Sequence, residues 1–360
     1  MKKMFCFLVL LPVFLLSAAA YSASAYAVLN ADTGMLLQQF HADTRLPMAS
    51  TTKIMTGLLA AEDSNPNRII EVPSSCVGIE GSSMYLQAGE QLALRDVLYG
   101  LLLCSGNDAA ECIAAVCGGR EAFVARMNER AAELGLHNTH FDNPSGLDGE
   151  THYTTASDLA KLAAAALQNE TFAAIVSTQS YTAGTRTMRN HNRLLTQYEG
   201  CIGVKTGFTR TAGRCLVSAA RRNGRTVIAV TLNDPDDWRD HTALLDAAFA
   251  TLRSQSVVEE MQEIDTIPVV SGSTPQVSLI CSSPIDVAVF DGESVTLQVH
   301  KRGMLYAPVS AGTVCGSVSV QVNGIELTSA PLVTAQDIAL DTTQERFSVP
   351  ERLLRFFHHT

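Results

Sequence analysis

The spacing of apolar residues changes character once along the chain, near residue 255. Before that point, apolar residues recur at the three- and four-residue intervals typical of helices. The predicted helices cover residues 50–62, 94–103, a segment starting at 107, then 121–134, 156–167 and 238–252. Residues 137–153 are polar, contain Asn143-Pro144 and Asp148-Gly149, and are therefore predicted to form a long loop.

Short apolar segments on either side of these helices predict strands. Residues 27–40 read as a hairpin around Asp32-Thr33-Gly34, and another strand ends at Lys205. Two further strands flank Asn223-Gly224, a strong hairpin signal. A strand pair, then helices, then strands and a final helix predict an α+β domain, residues 26–255, with helices packed on a sheet.

Residues 256–346 show the alternation of apolar and polar positions that is typical of strands. Runs such as QVSLI, IDVAVF, VTLQVH and SVSVQV are separated by turns at Asp291-Gly292 and Asn323-Gly324. This pattern predicts a small β-sandwich or barrel. Because the segment holds no cluster of catalytic residue types, we interpret it as a spacer or docking module.

The two ends of the chain have their own patterns. Residues 1–25 resemble an export signal, with Lys2 and Lys3 before an apolar stretch and Ala23-Ser24-Ala25 as the cleavage site. The alternative is an uncleaved membrane anchor; either way the body is expected outside the cytoplasm. Residues 347–360 mix apolar and basic residues at helical spacing, which predicts either a short membrane-surface helix or a frayed terminus.

Charge and cysteine content narrow the function. The chain has 26 basic and 36 acidic residues; without Lys2 and Lys3 the balance is 24 to 36, a net charge of −12. Such an acidic chain does not favour nucleic acid, which needs a clustered basic face. Eight of the nine cysteines remain without Cys6 of the leader, and this even number permits disulfides in an exported protein. Cys112, Cys117 and Cys215 lie in apolar segments, which favours mostly free, buried thiols. No cysteine or histidine spacing indicates zinc, so no metal or cofactor is expected.

Lysine is scarce, with six in 360 residues, and two of the six complete short motifs. Ser50-Thr51-Thr52-Lys53 places a serine and a lysine one helical turn apart on one face. Serine becomes a nucleophile when a neighbouring base takes its proton. Apolar neighbours such as Ile54 and Met55 should bury Lys53 and lower its pKa, which makes it a plausible base.

Two further triplets follow in order. Ser105-Gly106-Asn107 comes after an apolar helix, and Lys205-Thr206-Gly207 comes at a strand end. Each triplet alone also fits an ordinary turn, and Ser-x-x-Lys alone occurs often by chance. Their joint occurrence in this order is what predicts an active site.

With these motifs the chain resembles the penicillin-recognising serine enzymes, which carry S-x-x-K, S-x-N and K-T-G. Among them it is most similar to the low-molecular-mass D-alanyl-D-alanine carboxypeptidases. The matching stretches are LPMASTTKIMT, SGNDAA, FDNPSGLDGETHYTTASDLAKLA, RNHNRLL, GVKTGFTRTAGRCLVSAA and, in the tail domain, LYAPVSAGTVCGSVSVQVNG. The resemblance implies a β-lactamase/transpeptidase-like domain with an antiparallel sheet and a second all-β domain. Gly106 departs from the more usual alanine.

The resemblance also implies residue roles and partners. Ser50 would attack the penultimate D-alanine of a peptidoglycan stem peptide, with Lys53 as general base and Ser105 passing a proton to the leaving amine. β-Lactam antibiotics would act as inhibitors. The substrate-binding residues implied are Asn107, Lys205, Thr206, Gly207, Phe208 and Arg239, with the backbone N–H groups of Ser50 and Phe208 forming the oxyanion hole.

Several alternatives share this fold or pocket. A class A β-lactamase would need an added carboxylate in E-x-x-L-N, and Glu133 is one residue out of register for it. A D,D-endopeptidase or transpeptidase would form the same acyl-enzyme, and a receptor would require a signalling segment that the sequence does not show. Among other polar residues, His152 is interpreted as either a solvated or a functional loop histidine, His191 as a candidate cleft residue, and Glu133 as a solvated charge.

Overall fold

The computed structural model describes residues 21–62 and 65–343. The predicted leader up to residue 20 and the predicted surface tail, residues 347–360, lie outside the described residues. Residues 21–25, which the sequence assigns to the leader, are described, and Ala25 already pairs with Leu232 in the main sheet. Within the two described ranges, no helix is long and apolar enough to span a bilayer.

Helices and strands alternate in the first domain, and strands alone build the second. The helices are α1 (Lys53–Ala61), α2 (Leu94–Leu102), α3 (Asn107–Val116), α4 (Arg120–Glu133), α5 (Ala156–Leu167), α6 (Glu170–Val176), α7 (Leu194–Gln197) and α8 (Asp237–Phe249). The strands of the first domain are β1 (Ala25–Asn30), β2 (Leu36–Phe40), β3 (Ile69–Glu71), β4 (Gln91–Ala93), β5 (Ser180–Ala183), β6 (Arg186–Arg189), β7 (Cys201–Thr209), β8 (Gly213–Arg222) and β9 (Arg225–Leu232). Those of the second are β10 (Leu252–Val258), β11 (Glu263–Val270), β12 (Gln276–Cys281), β13 (Ile285–Phe290), β14 (Val295–Lys301), β15 (Leu305–Tyr306), β16 (Val314–Val322) and β17 (Ile325–Thr334).

A five-stranded antiparallel sheet, in the order β2-β1-β9-β8-β7, supports the first domain. Both predicted hairpins are present in it. The β8–β9 turn has Asn223 at φ 50° and Gly224 at φ 76°, the left-handed conformation that a two-residue hairpin turn requires. Among the described strands, β7 is at the edge of the sheet and pairs on one side only, with β8.

Helix α1 lies in the centre of this domain. All nine of its residues are buried, including Lys53, whose exposed fraction is 0%. A helix that is apolar on all sides is typical of a domain core. The scarcity of polar positions along α1 therefore places the lysine in a water-poor environment.

Six short elements of the first domain were not predicted: the paired strands β3 and β4, the hairpin strands β5 and β6, helix α6 and the single turn α7. They have three to seven residues each, and segments this short carry too few positions for periodicity to identify them. Helix α6 depends instead on a local contact, because the Asn169 side chain accepts a hydrogen bond from Phe172 N at 3.0 Å.

The second domain consists of a six-stranded sheet, ordered β14-β16-β17-β12-β11-β15, and the pair β10-β13. Its own apolar core includes Val258, Ile267, Leu279, Val318 and Leu332. The predicted fold class, an α+β domain followed by a small all-β domain, is confirmed. Strand β10 starts at Leu252, slightly before the predicted domain boundary.

A buried ion pair joins the two domains. Arg225 on β9 donates to both carboxylate oxygens of Glu293, at 2.8 and 3.1 Å, and its Nε donates to Asp32 at 3.0 Å. The Glu293 side chain is fully buried and accepts a further hydrogen bond from Asn30 at 2.7 Å. Beside it, Phe290 of the second domain belongs to an apolar cluster of the first. The junction is thus both charged and apolar.

Candidate active site

The turn before α1 carries the predicted nucleophile. Residues Ala49–Thr52 form a 3₁₀ turn, and Ala49 has φ 47°. Gly146 packs against this turn with φ 88°, so closely that a Cβ on it would lie 2.0 Å from the Ala49 carbonyl oxygen. Gly207 of β7 packs against the other side, where a Cβ would lie 3.0 Å from Ser50 N. Two glycines therefore hold Ser50 between the loop and the edge strand.

Lys53 is bonded to three partners inside the core. Its Nζ lies 2.9 Å from Ser50 Oγ and 2.7 Å from Asn107 Oδ1, and it also contacts the Ser145 carbonyl oxygen. Burial, followed by the charge of Lys205, lowers the pKa of Lys53 well below its usual value. A neutral amine at hydrogen-bond distance from a serine hydroxyl can accept its proton.

The second triplet is fixed by the residue that follows it. Asp108 accepts hydrogen bonds from Ser83 Oγ at 2.6 Å and from the Met84 and Leu86 N–H groups, both at 3.0 Å. A Cβ on Gly106 would lie 2.7 Å from Asp108 Oδ1 and 3.2 Å from Met84 N. The 82–86 loop thus packs so closely against position 106 that glycine fits there more easily than alanine.

The third triplet lies on β7. Lys205 is buried, its Nζ donates to the Thr206 carbonyl oxygen at 2.7 Å, and burial lowers its pKa to about 7. Phe208 is 65% exposed. The strand thus presents one buried cation and one exposed ring along the same edge.

An open cleft of about 510 Å³ brings the three triplets together. Its lining residues are Ser50, Ser82, Ser105, Asn190, His191, Arg193, Thr206, Gly207, Phe208, Arg214, Asp237 and Trp238. His191 was a candidate on sequence grounds, and it does line the cleft. Asn107 and the two lysines are buried beside this surface, and Asn107 is bonded to Lys53.

Arg239, predicted to bind substrate, is not brought to the cleft. Its guanidinium donates to Asp240 Oδ1 at 2.9 Å and pairs with Asp236 at 3.0 Å. These two carboxylates lie within one helical turn of Arg239 and draw the side chain along α8 instead. The prediction for Arg239 is corrected on this ground.

Two other arginines line the cleft and were not singled out from the sequence. The guanidinium carbons of Arg193 and Arg214 lie 5.8 and 5.7 Å from the centre of the Trp238 ring, and Arg214 also pairs with Asp237 at 2.8 Å. The tryptophan supports both cations through its π face. Arg193 lies in RNHNRLL, so the family-like stretch itself carried the signal.

His152 lies behind the nucleophile turn and does not reach the cleft. Its Nε2 is 2.7 Å from Thr52 Oγ1, and its Nδ1 accepts the Asp142 N–H at 3.0 Å. Since Thr52 Oγ1 donates to the Ala49 carbonyl oxygen, the imidazole carries its proton on Nε2. Burial lowers the pKa of His152 to about 4. It is therefore a neutral support for the turn that carries Ser50.

Two protein-family models match this chain, one in each domain. A family model described as D-alanyl-D-alanine carboxypeptidase matches residues 13–236, and the model of the penicillin-binding protein 5 C-terminal domain matches residues 253–339. The D-alanyl-D-alanine carboxypeptidase DacF of Bacillus subtilis is 31% identical over 339 residues, covering 89% of this chain and 87% of the relative. The Streptomyces K15 enzyme is 40% identical over 255 residues, which cover 64% of this chain and 87% of the relative.

Solved structures agree with these matches. Penicillin-binding protein 5 from Haemophilus influenzae aligns with a TM-score of 0.64 and 27% identity, covering 89% of this chain and 98% of that one. The Streptomyces K15 DD-transpeptidase aligns with a TM-score of 0.62 and 37% identity, covering 64% of this chain and 98% of that one. The fold and the site thus define a serine hydrolase with the architecture of the low-molecular-mass penicillin-binding proteins. The chain belongs to the D-alanyl-D-alanine carboxypeptidase family.

Proposed function

We propose that this protein removes the terminal D-alanine from peptidoglycan stem pentapeptides through an acyl-enzyme on Ser50. The observation that carries the proposal is the 2.9 Å contact between Ser50 Oγ and the buried Lys53 amine. Burial lowers the pKa of Lys53 well below its usual value, so the amine gives up its proton more readily and can serve as a base. This geometry supports nucleophilic attack on a carbonyl without a metal or cofactor.

In the first half-reaction, Ser50 Oγ bonds to the carbonyl carbon of the penultimate residue while its proton moves to Lys53. The developing oxyanion would be held by the backbone N–H groups of Ser50 and Phe208. Donors of this kind contribute about 3–4 kcal/mol each, because they act on charge that appears in the transition state. Ser105 then passes a proton to the leaving amine, the C–N bond breaks and D-alanine departs.

In the second half-reaction, water attacks the ester, gives up a proton to the same Lys53–Ser105 pair and releases the shortened peptide. Asn107, bonded to Lys53 at 2.7 Å, keeps the amine aimed at the nucleophile. The substrate carboxylate would be gripped by Lys205 and Thr206 of β7. We add Arg193 and Arg214 to this anion site, in place of Arg239, because both line the cleft beside Trp238.

β-Lactams would acylate Ser50, and the resulting acyl-enzyme would be hydrolysed slowly. Glu133, the nearest sequence match to a deacylating carboxylate, is 63% exposed on α4 and paired with Arg130 at 2.8 Å. Among the described lining residues, Asp237 is the one carboxylate, and it is paired with Arg214. We therefore favour carboxypeptidase activity over β-lactamase activity. An endopeptidase or a transpeptidase would form the same acyl-enzyme and would differ only in the peptide that is cleaved or in the acceptor that attacks the ester.

The protein would act outside the cytoplasm, where stem peptides are cross-linked. The tail, residues 347–360, has Arg352, Arg355, Phe356 and Phe357 at helical spacing and would contact the membrane surface weakly. Co-sedimentation with vesicles containing anionic lipid, with and without residues 347–360, tests this contact. Equal sedimentation of both proteins would exclude it.

The reaction is tested with a synthetic pentapeptide ending in D-Ala-D-Ala and an assay for free D-alanine. Wild type should release one D-alanine per peptide and should retain radiolabelled penicillin as a covalent adduct. Ser50→Ala should neither release D-alanine nor retain penicillin. The control variant Ser177→Ala, which changes an exposed serine after α6, should release D-alanine and retain penicillin as wild type does. Rapid nitrocefin turnover by wild type, or labelling of Ser50→Ala, would refute the assignment.

A further inference from the structure

The first described residues are held by two carboxylates near the start of α8. Ser22 Oγ lies 2.5 Å from Asp234 Oδ1 and 2.9 Å from Asp240 Oδ2, and the Ser22 backbone N–H also donates to Asp240 Oδ2. Ala25 is fully buried and pairs with Leu232 of β9. A leader cut after Ala25 would remove all of these contacts and the first residue of β1.

One of the two carboxylates has an unfilled position. Asp234 is fully buried, and its Oδ2 makes no hydrogen bond to any residue in the described part of the chain. The neighbouring Thr231 hydroxyl contacts His241 Nε2 at 3.0 Å, and Arg239 is bound to the Oδ1 atom of Asp240. A buried carboxylate without a cationic partner is costly, and burial raises the pKa of Asp234, an effect that the nearby Ser22 and Thr231 hydroxyls offset only in part. Within the described chain, Asp234 therefore lacks a cation of its own.

We propose that the leader is cleaved after Ala20, within Ala18-Ala19-Ala20, and that the α-ammonium group released on Tyr21 is the cation that completes this site. The triplet has small residues at the two positions that leader cleavage requires, as Ala23-Ser24-Ala25 does. Water adds across the Ala20–Tyr21 amide, leaving a carboxylate on the leader and an amine on the mature chain.

Chain connectivity keeps that amine next to Ser22, which contacts both carboxylates. Backbone bond lengths and angles limit the distance between Tyr21 N and Ser22 N to about 3.7 Å, and Ser22 N already contacts Asp240. The Tyr21 ring packs edge-on against Tyr26 at 5.0 Å, which fixes the direction of the first residue. Helix α8 also carries Asp237 and Trp238 into the cleft, so the new N-terminus would anchor one wall of the active site.

The inference depends on export of the chain and not on the proposed reaction. Expression of the full-length chain in a secreting bacterium, followed by mass spectrometry of the N-terminal peptide, should find Tyr21 first. Ala20→Glu should leave the leader attached, whereas Ala19→Glu, which adds the same charge at a permissive position, should still give Tyr21. A mature chain that begins at residue 26, or cleavage of Ala20→Glu after Ala25, would overturn the proposal.

The role of the α-ammonium is tested separately on leaderless protein. We compare chains that start at Tyr21, at Tyr21 with an acetylated amine, and at Tyr26. The free amine on Tyr21 should give the highest Tm, and both acetylation and truncation should lower it by at least about 2 °C. Equal Tm values for the free and acetylated chains would refute the ion pair. The cleavage site would still be decided by mass spectrometry of the N-terminal peptide.

Discussion

Two buried lysines face the same cleft, and they need opposite charge states. Lys53 must be neutral to accept the serine proton, whereas Lys205 must be protonated to attract the substrate carboxylate. Both are buried, and burial disfavours the charged form of each. Within the described chain, Lys205 donates to the Thr206 carbonyl oxygen but has no carboxylate partner, and the substrate carboxylate would supply one.

The pKa of Lys205, about 7, sets the alkaline side of the pH profile. Above this pH, Lys205 in the free enzyme loses its proton, so kcat/KM should fall as pH rises, mainly through KM. Lys205→Arg should flatten this fall, because arginine keeps its charge. Steady-state rates between pH 5 and 9 check the prediction, with His191→Asn as the control that should keep the fall. A fall that survives in Lys205→Arg would contradict it.

His152 should support catalysis without taking part in proton transfer. With a pKa of about 4 it is neutral throughout the working range, and it contacts the nucleophile turn only through Thr52. His152→Ala should therefore lower the rate of penicillin acylation about tenfold or more, through a misplaced Ser50. His152→Gln, which can still donate to Thr52, should recover part of the rate.

The shape of the pH profile separates positioning from chemistry. For both His152 variants, the dependence of acylation on pH should keep the wild-type midpoints while only the amplitude falls. A midpoint that disappears in His152→Ala would instead make the imidazole a proton carrier.

At the scale of elements, the loop bearing Gly146 is as important as the helix bearing Lys53. Gly146→Ala should place a methyl group 2.0 Å from the Ala49 carbonyl oxygen and force the turn apart. Acylation should be nearly lost and Tm should drop. Gly184→Ala is the matched control: it also has a positive φ, 58°, but open space around it. Gly184→Ala should lower the free energy of unfolding by only about 1 kcal/mol and leave the activity unchanged. Equal effects of Gly146→Ala and Gly184→Ala would contradict the close-contact argument.

Sequence patterns predicted most elements and the three triplets, because long apolar helices and hairpin turns are encoded locally. They did not predict α6 or the β5–β6 hairpin, because both segments are too short for periodicity to identify them, and α6 depends on its Asn169 cap. The position of Arg239 at the start of α8 was correct, but its direction depends on Asp236 and Asp240. Nothing in the sequence indicated that Arg193 lines the cleft beyond its place in the family-like stretch RNHNRLL. Which cations face a cleft is decided by packing across distant segments.

For the whole molecule, the interdomain ion pair is the point of greatest sensitivity. Arg225→Met should leave Glu293 buried without its cation, and breaking a buried pair in this way costs about 3–5 kcal/mol. Urea unfolding should show this loss, or a separate early transition of the second domain. Arg253→Met, which removes an exposed pair with Asp291, should leave the unfolding midpoint nearly unchanged. Similar midpoints for the two variants would show that the junction is not what holds the domains.

The unpaired edge of β7 has a consequence for drug resistance. A bound peptide can hydrogen-bond to such an edge as an additional strand, through main-chain groups that no side-chain substitution removes. A β-lactam amide that imitates the peptide backbone would use the same groups. Escape from the drug by mutation should therefore also weaken binding of the natural substrate, and we expect surviving variants to change the rate of acyl-enzyme breakdown instead.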